Sequence, residues 1–359
     1  MEVKASPYSN LKIFHHGDLL RSIEKGERVA PMYIRIKPTN VCNQNCYYCH
    51  YKNSYLDLDD YSPTDFIPRE KMLEIVGDMR DMGVKAVTFS GGGEPLVYPY
   101  ITETMQKVLD SGIDLSIISN GTLLQGEKAE VLAHAKWVRL SIDSSRKELY
   151  AKVRSVPESM FDQLCRNIES FAKIKDKNCE LGVNYVVGKE NYPYIYEMAE
   201  LMKSLGVNHV KFAPAISNET EAYHAPFKEQ VMQELQCASE LSDENFRIVD
   251  LYTTDFMRVN SGIRIFDRAY ENCYIKEMIC VIAANSKVYY CHDKAYLDNG
   301  EIGDLSGQRF KDLWFSDETT QKFRKFNAKR ICREHCVYDD RNIMLNSFFG
   351  MDKNHVNFL

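Results

Sequence analysis

Cys42-Asn43-Gln44-Asn45-Cys46-Tyr47-Tyr48-Cys49 brings three thiols within eight residues, directly after an apolar strand pattern running from Met32 to Ile36. A loop this short can turn all three sulfurs inward. Thiolates select soft metals, and clusters of iron and sulfide are the usual occupants of such loops. A closed zinc site, or a fully ligated iron–sulfur site, needs a fourth ligand nearby. No fourth cysteine follows Cys49; the adjacent His50 keeps zinc open as an alternative. A cluster held by three cysteines leaves one iron free to bind a small molecule.

Outward from this loop, strand patterns alternate with helical ones as far as residue 215. Strands are predicted at Tyr33–Ile36, Ala86–Ser90, Asp114–Ser119, Trp137–Asp143, Leu181–Val187 and His209–Pro214. Helices are predicted at Pro68–Met82, Tyr98–Ser111, Gln125–Ala135, Met160–Ala172 and Tyr192–Leu205. Gly83, Gly112 and Gly206 stand where the residue after a helix takes a left-handed turn. Alternation of this kind implies a parallel sheet with right-handed crossovers. Six strands suggest an α/β fold of the TIM type, a partial, open (β/α)6 barrel, with its chemistry at the C-terminal ends of the strands.

The chain has 359 residues, 44% hydrophobic and 27% charged, as in an ordinary globular protein with ample core. Its net charge of −6 advertises no nucleic acid binding. Met1-Glu2-Val3-Lys4 lacks the apolar core of a signal peptide and no run is long enough to span a bilayer, so a cytoplasmic protein without membrane attachment is expected. In a reducing compartment, eleven cysteines point to metal or catalysis rather than disulfides. Cys165, Cys179 and Cys237 are scattered and read as inert. Expected units are an N-terminal extension (1–31) with an amphipathic segment from Leu11 to Glu27, the barrel (32–215), a connecting helix and strand (216–250), a cysteine-rich unit (251–340) and a tail (341–359).

The spacing C-x3-C-x2-C, with aromatic Tyr48 before its last cysteine, resembles the radical S-adenosylmethionine (SAM) superfamily. That resemblance implies a 4Fe–4S cluster on Cys42, Cys46 and Cys49 whose open iron binds SAM. Phe89-Ser90-Gly91-Gly92-Gly93-Glu94-Pro95 is similar to the superfamily's glycine-glycine-glutamate motif, implying that Gly92, Gly93 and Glu94 hold the amino group of SAM. By the same resemblance Tyr48, Ser119 and Asn120 contact SAM, as do Ser141 and Asp143, and Arg154 pairs with its carboxylate. Each is also an ordinary choice for a cap or a solvated charge; their order on consecutive strand ends favours contacts with SAM.

Cys273, Cys280, Cys291, Cys332 and Cys336 form a second group. Cys280 to Cys291 reads as a β-hairpin around an Asn285-Ser286 turn. The layout resembles the twitch domain, a shortened SPASM domain, which implies a small α+β unit with one auxiliary 4Fe–4S cluster. Spacing assigns Cys273, Cys291, Cys332 and Cys336 as ligands. Cys280 either replaces Cys273 or stays a free thiol able to return a hydrogen atom to a substrate radical. Structural zinc on four thiolates is the rival occupant.

The resemblance implies reductive cleavage of SAM to a 5′-deoxyadenosyl radical, which abstracts a hydrogen atom from a small polar substrate. A sugar, aminocyclitol or nucleotide-linked sugar is expected, with net oxidation assisted by the auxiliary cluster and a reducing partner such as flavodoxin or ferredoxin. The alternatives are a redox-neutral epimerase using Cys280, a peptide-modifying SPASM enzyme, or a non-enzymatic iron–sulfur electron carrier.

Overall fold

Apolar residues at alternate positions of the predicted strands make one face of each bury against helices, and this arranges the sheet. The computed structural model describes residues 9–52, 58–216, 221–253, 268–333, 336–354 and 356–357. A 3-10 turn (Asn10–His15) and α1 (Gly17–Glu24) precede β1 (Tyr33–Ile36). Next come α2 (Arg69–Met82), β2 (Ala86–Phe89), α3 (Ile101–Asp110), β3 (Asp114–Ser119), α4 (Glu127–Ala133) and β4 (Trp137–Ser141). The core continues with α5 (Lys147–Arg154), α6 (Ser159–Ile174), β5 (Glu180–Val187), α7 (Ile195–Ser204) and β6 (His209–Pro214). Beyond it lie α8 (Glu221–His224), α9 (Lys228–Ser239), β7 (Arg247–Asp250), β8 (Ile279–Ile282), β9 (Lys287–Tyr289) and β10 (Glu301–Asp304). The chain ends in α10 (Phe310–Trp314), α11 (Asp317–Lys325), α12 (Ala328–Ile331) and α13 (Asp339–Phe349).

Among the described residues, ten strands form one sheet in the order β10-β9-β8-β1-β2-β3-β4-β5-β6-β7. Strands β1 to β7 are all parallel, so the six expected strands and the extra connecting one make an open, partial barrel. The C-terminal hairpin does not make a sheet of its own. Strand β8 adds to the free edge of β1 in parallel, from Tyr33↔Ile279 to Ile36↔Ile282, and β9 and β10 follow antiparallel. That pairing satisfies the backbone groups that β1 would otherwise present at an edge. In the hairpin turn it is Ser286, φ +60°, that takes the left-handed conformation, not Asn285. Asn285 donates instead to the side chains of Asp60 and Tyr289, at 2.9 and 2.8 Å.

The pleat sorts the sheet into two faces. Outward, Ile34, Ile36, Val87, Phe89, Leu115, Ile117, Val138 and Leu140 are fully buried in the main core with α2 residues such as Met72 and Ile75. Inward, Arg35, Arg139, Ser141, Asn184 and Lys211 keep part of their surface open, so these strands enclose a polar lumen.

Gly83, Gly112 and Gly206 have φ of +77°, +68° and +80°, as expected of helix stops. Helix α5 is a difference, standing between β4 and α6 where no helix is predicted: Lys147–Arg154 is only eight residues long and half charged, with Tyr150, Val153 and Arg154 buried. The amphipathic N-terminal segment packs against one side of the molecule. Its Ile13, Leu20 and Ile23 pack with Ile275, Met278, Ile279, Tyr338 and Leu345 of the C-terminal region. The tail is largely α13, whose Phe348 meets Phe14 edge-on at 5.7 Å; Phe358 and Leu359 lie outside the described residues. No described helix is long and apolar enough to cross a membrane.

Candidate functional site

The three-cysteine loop leaves the C-terminal end of β1 and is pinned at both ends. At its start, Gly93 N–H donates to Thr39 O and Glu94 N–H to Val41 O, both at 2.9 Å. The glycine run is there for this approach rather than for positive φ, which none of Gly91, Gly92 and Gly93 adopts. A Cβ on Gly92 would sit 1.7 Å from Asn40 Oδ1, and one on Gly93 2.0 Å from Val41 O. At its far side the loop rests on the end of α5: Asn45 N–H donates to Arg154 O (3.0 Å) and Tyr47 N–H to Val153 O (3.3 Å). Buried Gln44 donates to Tyr150 OH at 2.8 Å. Burial pushes the Cys42 thiol up to about 11, partly offset by the Gln44 N–H, and raises that of Cys46 against the pull of Arg154. Such thiols give up their protons when a metal takes their place.

The strand-end residues gather beside this loop. Glu94, 3% exposed, accepts from Leu96 N–H (3.0 Å), Ser119 Oγ (2.7 Å) and Asn120 N–H (2.7 Å). Desolvation raises its carboxyl, opposed by those three donors. Asn120 Nδ2 donates to Asn43 Oδ1 at 2.8 Å, tying β3 to the cysteine loop. Buried Asp143 accepts from Arg154 Nη2 (2.5 Å), Val186 N–H (2.8 Å) and the Tyr48 hydroxyl. Arg154 Nη2 also donates to Ser141 O (2.8 Å), and Nη1 approaches Cys46 Sγ at 3.5 Å. The structure thus brings together all nine residues expected around SAM. Two buried groups there have no hydrogen-bond partner: Arg154 Nε and Ser90 Oγ. An orphaned guanidinium N–H beside Cys46 fits a carboxylate-bearing ligand such as SAM.

At the other end of the strands, Cys273, Cys291, Cys332 and Cys336 line one enclosed cavity with Tyr270, Tyr290, Phe326 and Tyr338. Burial, then Asp293 and the other three thiols, raise that of Cys291. Asn342 Nδ2 points at Cys273 Sγ and Tyr338 N–H at Cys336 Sγ, each at 3.4 Å. Donors aimed at sulfur fit cluster thiolates and tune their potential. Cys280 is not among them. In register with Ile34, it faces outward into the helix-covered core, 1% exposed, and burial raises its thiol. The reading of Cys280 as hydrogen donor or substitute ligand is therefore corrected: the pleat turns it away from both lumen and cavity.

A model of the radical SAM superfamily matches residues 36–202, and one of the SPASM iron–sulfur cluster-binding domain matches residues 273–337. The chain belongs to the radical SAM superfamily. It is 24% identical over 311 residues to the AdoMet-dependent heme synthase of Methanosarcina barkeri, covering 82% of this chain and 85% of that one. It is 28% identical over 240 residues to a probable GTP 3′,8-cyclase of Methanocaldococcus jannaschii, covering 63% and 75%. Among solved structures, SuiB of Streptococcus suis superposes with a TM-score of 0.62 at 17% identity, over 94% of this chain and 80% of that one. Native anSMEcpe with bound AdoMet does so at 0.57 and 18%, over 92% and 100%. These two share the fold. The cofactors of this radical SAM protein are SAM, a 4Fe–4S cluster in the core and auxiliary iron–sulfur in the SPASM domain.

The lumen of the radical SAM core holds residues that motif reading misses. Lys37, fully buried, donates to Tyr51 OH at 2.8 Å, two residues past Cys49. Its ammonium is pushed well below the ordinary lysine range by burial and by Arg35, with Asp293 and Cys291 pulling the other way. Strand β9 runs down from the turn, with Tyr289 beside Val281 and Val281 beside Arg35. Cys291, two residues on, therefore lies toward the N-terminal ends of the strands, with Lys37 and Arg35 between it and the three-cysteine loop. The available signal was the alternation Tyr33-Ile34-Arg35-Ile36-Lys37: charges at every second position of a parallel-barrel strand that otherwise reads as buried on both faces.

Proposed function

We propose that this radical SAM protein is a dehydrogenase acting on a small polar molecule held in the barrel lumen. In this reading Cys42, Cys46 and Cys49 hold the SAM-binding cluster, and Cys273, Cys291, Cys332 and Cys336 hold one auxiliary 4Fe–4S cluster. Gly92, Gly93, Glu94, Ser119, Asn120, Ser141, Asp143, Arg154 and Tyr48 bind and orient SAM. When bound, SAM and its cluster supply the 5′-deoxyadenosyl radical that removes a hydrogen atom, and the auxiliary cluster supplies an acceptor for the remaining electron. A reductant such as flavodoxin or ferredoxin loads the first cluster.

One observation supports the oxidative reading: fully buried Lys37 donates to Tyr51, two residues past the three-cysteine loop, and lies within the electrostatic reach of Cys291 at the four-thiol cavity. A substrate there lies between the two thiol sets. Epimerisation needs a thiol in the lumen, and the outward-facing Cys280 does not provide it. An electron carrier has no use for the pinned glycine loop or the orphaned Arg154 Nε.

The test is anaerobic reconstitution followed by dithionite and SAM. Cys42→Ala should release no 5′-deoxyadenosine. Cys291→Ala should keep that release but fall from about eight to about four iron per chain and lose two-hydrogen oxidation of a metabolite mixture. Cys280→Ser should keep iron and oxidation alike. Undiminished iron in Cys291→Ala, or product lost with iron intact in Cys280→Ser, overturns the assignment.

A further inference from the structure

We infer that Tyr296, a residue of the SPASM domain, is a positioning residue for SAM: through Asn40 it fixes where the glycine loop of the core stands. This rests on the reading of Gly92, Gly93 and Glu94 as the loop that holds SAM, and it adds to that site a residue from the C-terminal unit.

Tyr296 stands five residues after Cys291, between β9 and β10. It is fully buried, and its φ is +68°. Bulky residues rarely adopt that left-handed conformation, and where one does, the surrounding structure over-determines it, often at a ligand clamp. Here the surroundings are aromatic. The Tyr296 ring meets those of Tyr61 and Tyr51 edge-on, at 5.2 and 6.0 Å, and lies 5.8 Å from that of Tyr289. Lys37 Nζ stands over it, 4.7 Å from the centroid. The Tyr296 carbonyl accepts from Asp60 N–H at 3.2 Å. Ring and backbone are both held, so the hydroxyl is aimed at one place.

That place is Asn40, two residues before Cys42. Tyr296 OH donates to Asn40 Oδ1 at 2.5 Å, and Ala284 N–H donates to the phenol oxygen at 3.4 Å. The other side of the same amide is tied as well: Asn40 Nδ2 donates to Ser62 O at 2.7 Å, and Asn40 N–H to Asp65 O at 2.8 Å. Asn40 Oδ1 lies directly against the glycine loop. A Cβ on Gly92 would stand 1.7 Å from it and 3.0 Å from Tyr296 OH. Phenol, amide and glycine are thus packed in contact. Gly93 and Glu94 donate to the carbonyls of Thr39 and Val41, on either side of Asn40, so a displacement of Asn40 reaches the glycine loop directly. Without the hydroxyl, Oδ1 is left buried and unmet. If the loop then spends part of its time displaced, SAM affinity falls in proportion to the competent fraction.

Tyr296→Phe keeps the ring packing and removes only the hydroxyl. SAM affinity of the anaerobic, reconstituted holoenzyme is measured by calorimetry, and 5′-deoxyadenosine release with dithionite gives KM for SAM and kcat. Tyr296→Phe should weaken SAM binding and raise KM roughly 5- to 20-fold. Its iron content should match the parent's, and its kcat at saturating SAM should stay within about twofold. Asn40→Ala should weaken SAM binding by itself, and adding Tyr296→Phe to it should cost nothing more, because both act through one contact. Tyr289→Phe removes a buried hydroxyl from the same ring cluster on the hairpin side and should leave SAM affinity alone. Unchanged affinity in Tyr296→Phe, an equal loss in Tyr289→Phe, or additive losses in the double variant overturns the inference. So does iron lost from the three-cysteine loop in step with affinity, the mark of a merely structural role. A parent holoenzyme that binds no SAM sinks the site reading and the inference together; a parent that binds SAM no better than Tyr296→Phe sinks the inference alone.

Discussion

Replacing Arg154 by Met isolates a buried charge at the point where the cysteine loop, β4 and α5 meet. Arg154 and Asp143 have side chains only 6% and 5% exposed, with Nη2 and Oδ2 2.5 Å apart. Removing one partner of a buried ion pair costs about 3 to 5 kcal/mol, because the other charge stays buried. Asp143 keeps two donors, Val186 N–H at 2.8 Å and the Tyr48 hydroxyl, which places the expected loss near the lower bound, about 3 kcal/mol. The double variant Asp143→Leu/Arg154→Met removes the stranded carboxylate but leaves the Val186 N–H unmet, at about 1 to 2 kcal/mol. The Tyr48 hydroxyl loses its Asp143 acceptor in the double variant, on a residue that is 39% exposed overall. The double variant should therefore regain about 1 to 2 kcal/mol over the single one. Urea unfolding of iron-free protein, followed by circular dichroism, measures this without cluster loading entering the balance. Because Nη1 also lies against Cys46 Sγ, reconstituted Arg154→Met should in addition hold less iron at the first site. A single variant within about 0.5 kcal/mol of the parent, or a double variant less stable than the single, would show that the pair does not carry the charge as argued.

The remaining predictions concern the glycine loop and acid stability. Gly93→Ala drives a Cβ against backbone, 2.0 Å from Val41 O; it should cost about 1 to 3 kcal/mol and lower iron at the three-cysteine loop. Gly77→Ala in α2, where an added Cβ meets nothing within 4 Å, should instead stabilise by about 0.5 to 1 kcal/mol; thermal unfolding and iron analysis check both. Glu180 is held at about 2, below its ordinary 4.5, by hydrogen bonding to His209 and by Arg247. A depressed carboxyl stabilises fully above about pH 4.5 and loses that contribution as pH falls toward 2. At about 1.4 kcal/mol per pH unit the ceiling is roughly 3 kcal/mol, which solvent screening reduces to about 1 to 2. Glu180→Gln should be destabilised by that amount at pH 7, with the gap closing in acid; a gap independent of pH in urea titrations refutes it.

Much of the site was legible without coordinates because its signals are local. Strand–helix alternation, the thiol spacing of Cys42, Cys46 and Cys49, and Gly91 to Glu94 after β2 all act within one βα unit. Helix α5 escaped because eight residues are too short a window to separate a helix from a loop, yet its end supports the cysteine loop through Val153 and Arg154 carbonyls. The Asn285-Ser286 turn was legible, but not which residue turns left-handed: the Asn285 amide is engaged by Asp60, over two hundred residues away, and Ser286 takes that conformation.

By itself the sequence determined the order of elements, the two cysteine sets and the class of chemistry, since each depends on residue type and short spacing. Tertiary structure alone decided that β8 joins β1 across more than two hundred residues. No nearest-neighbour preference encodes a pairing that distant. From that register and the hairpin it follows that Cys280 turns outward into apolar packing and that Cys291 lies toward the N-terminal ends of the strands. Which face a side chain takes is a property of the pleat, and the pleat acquires an inside only when the strands curve together.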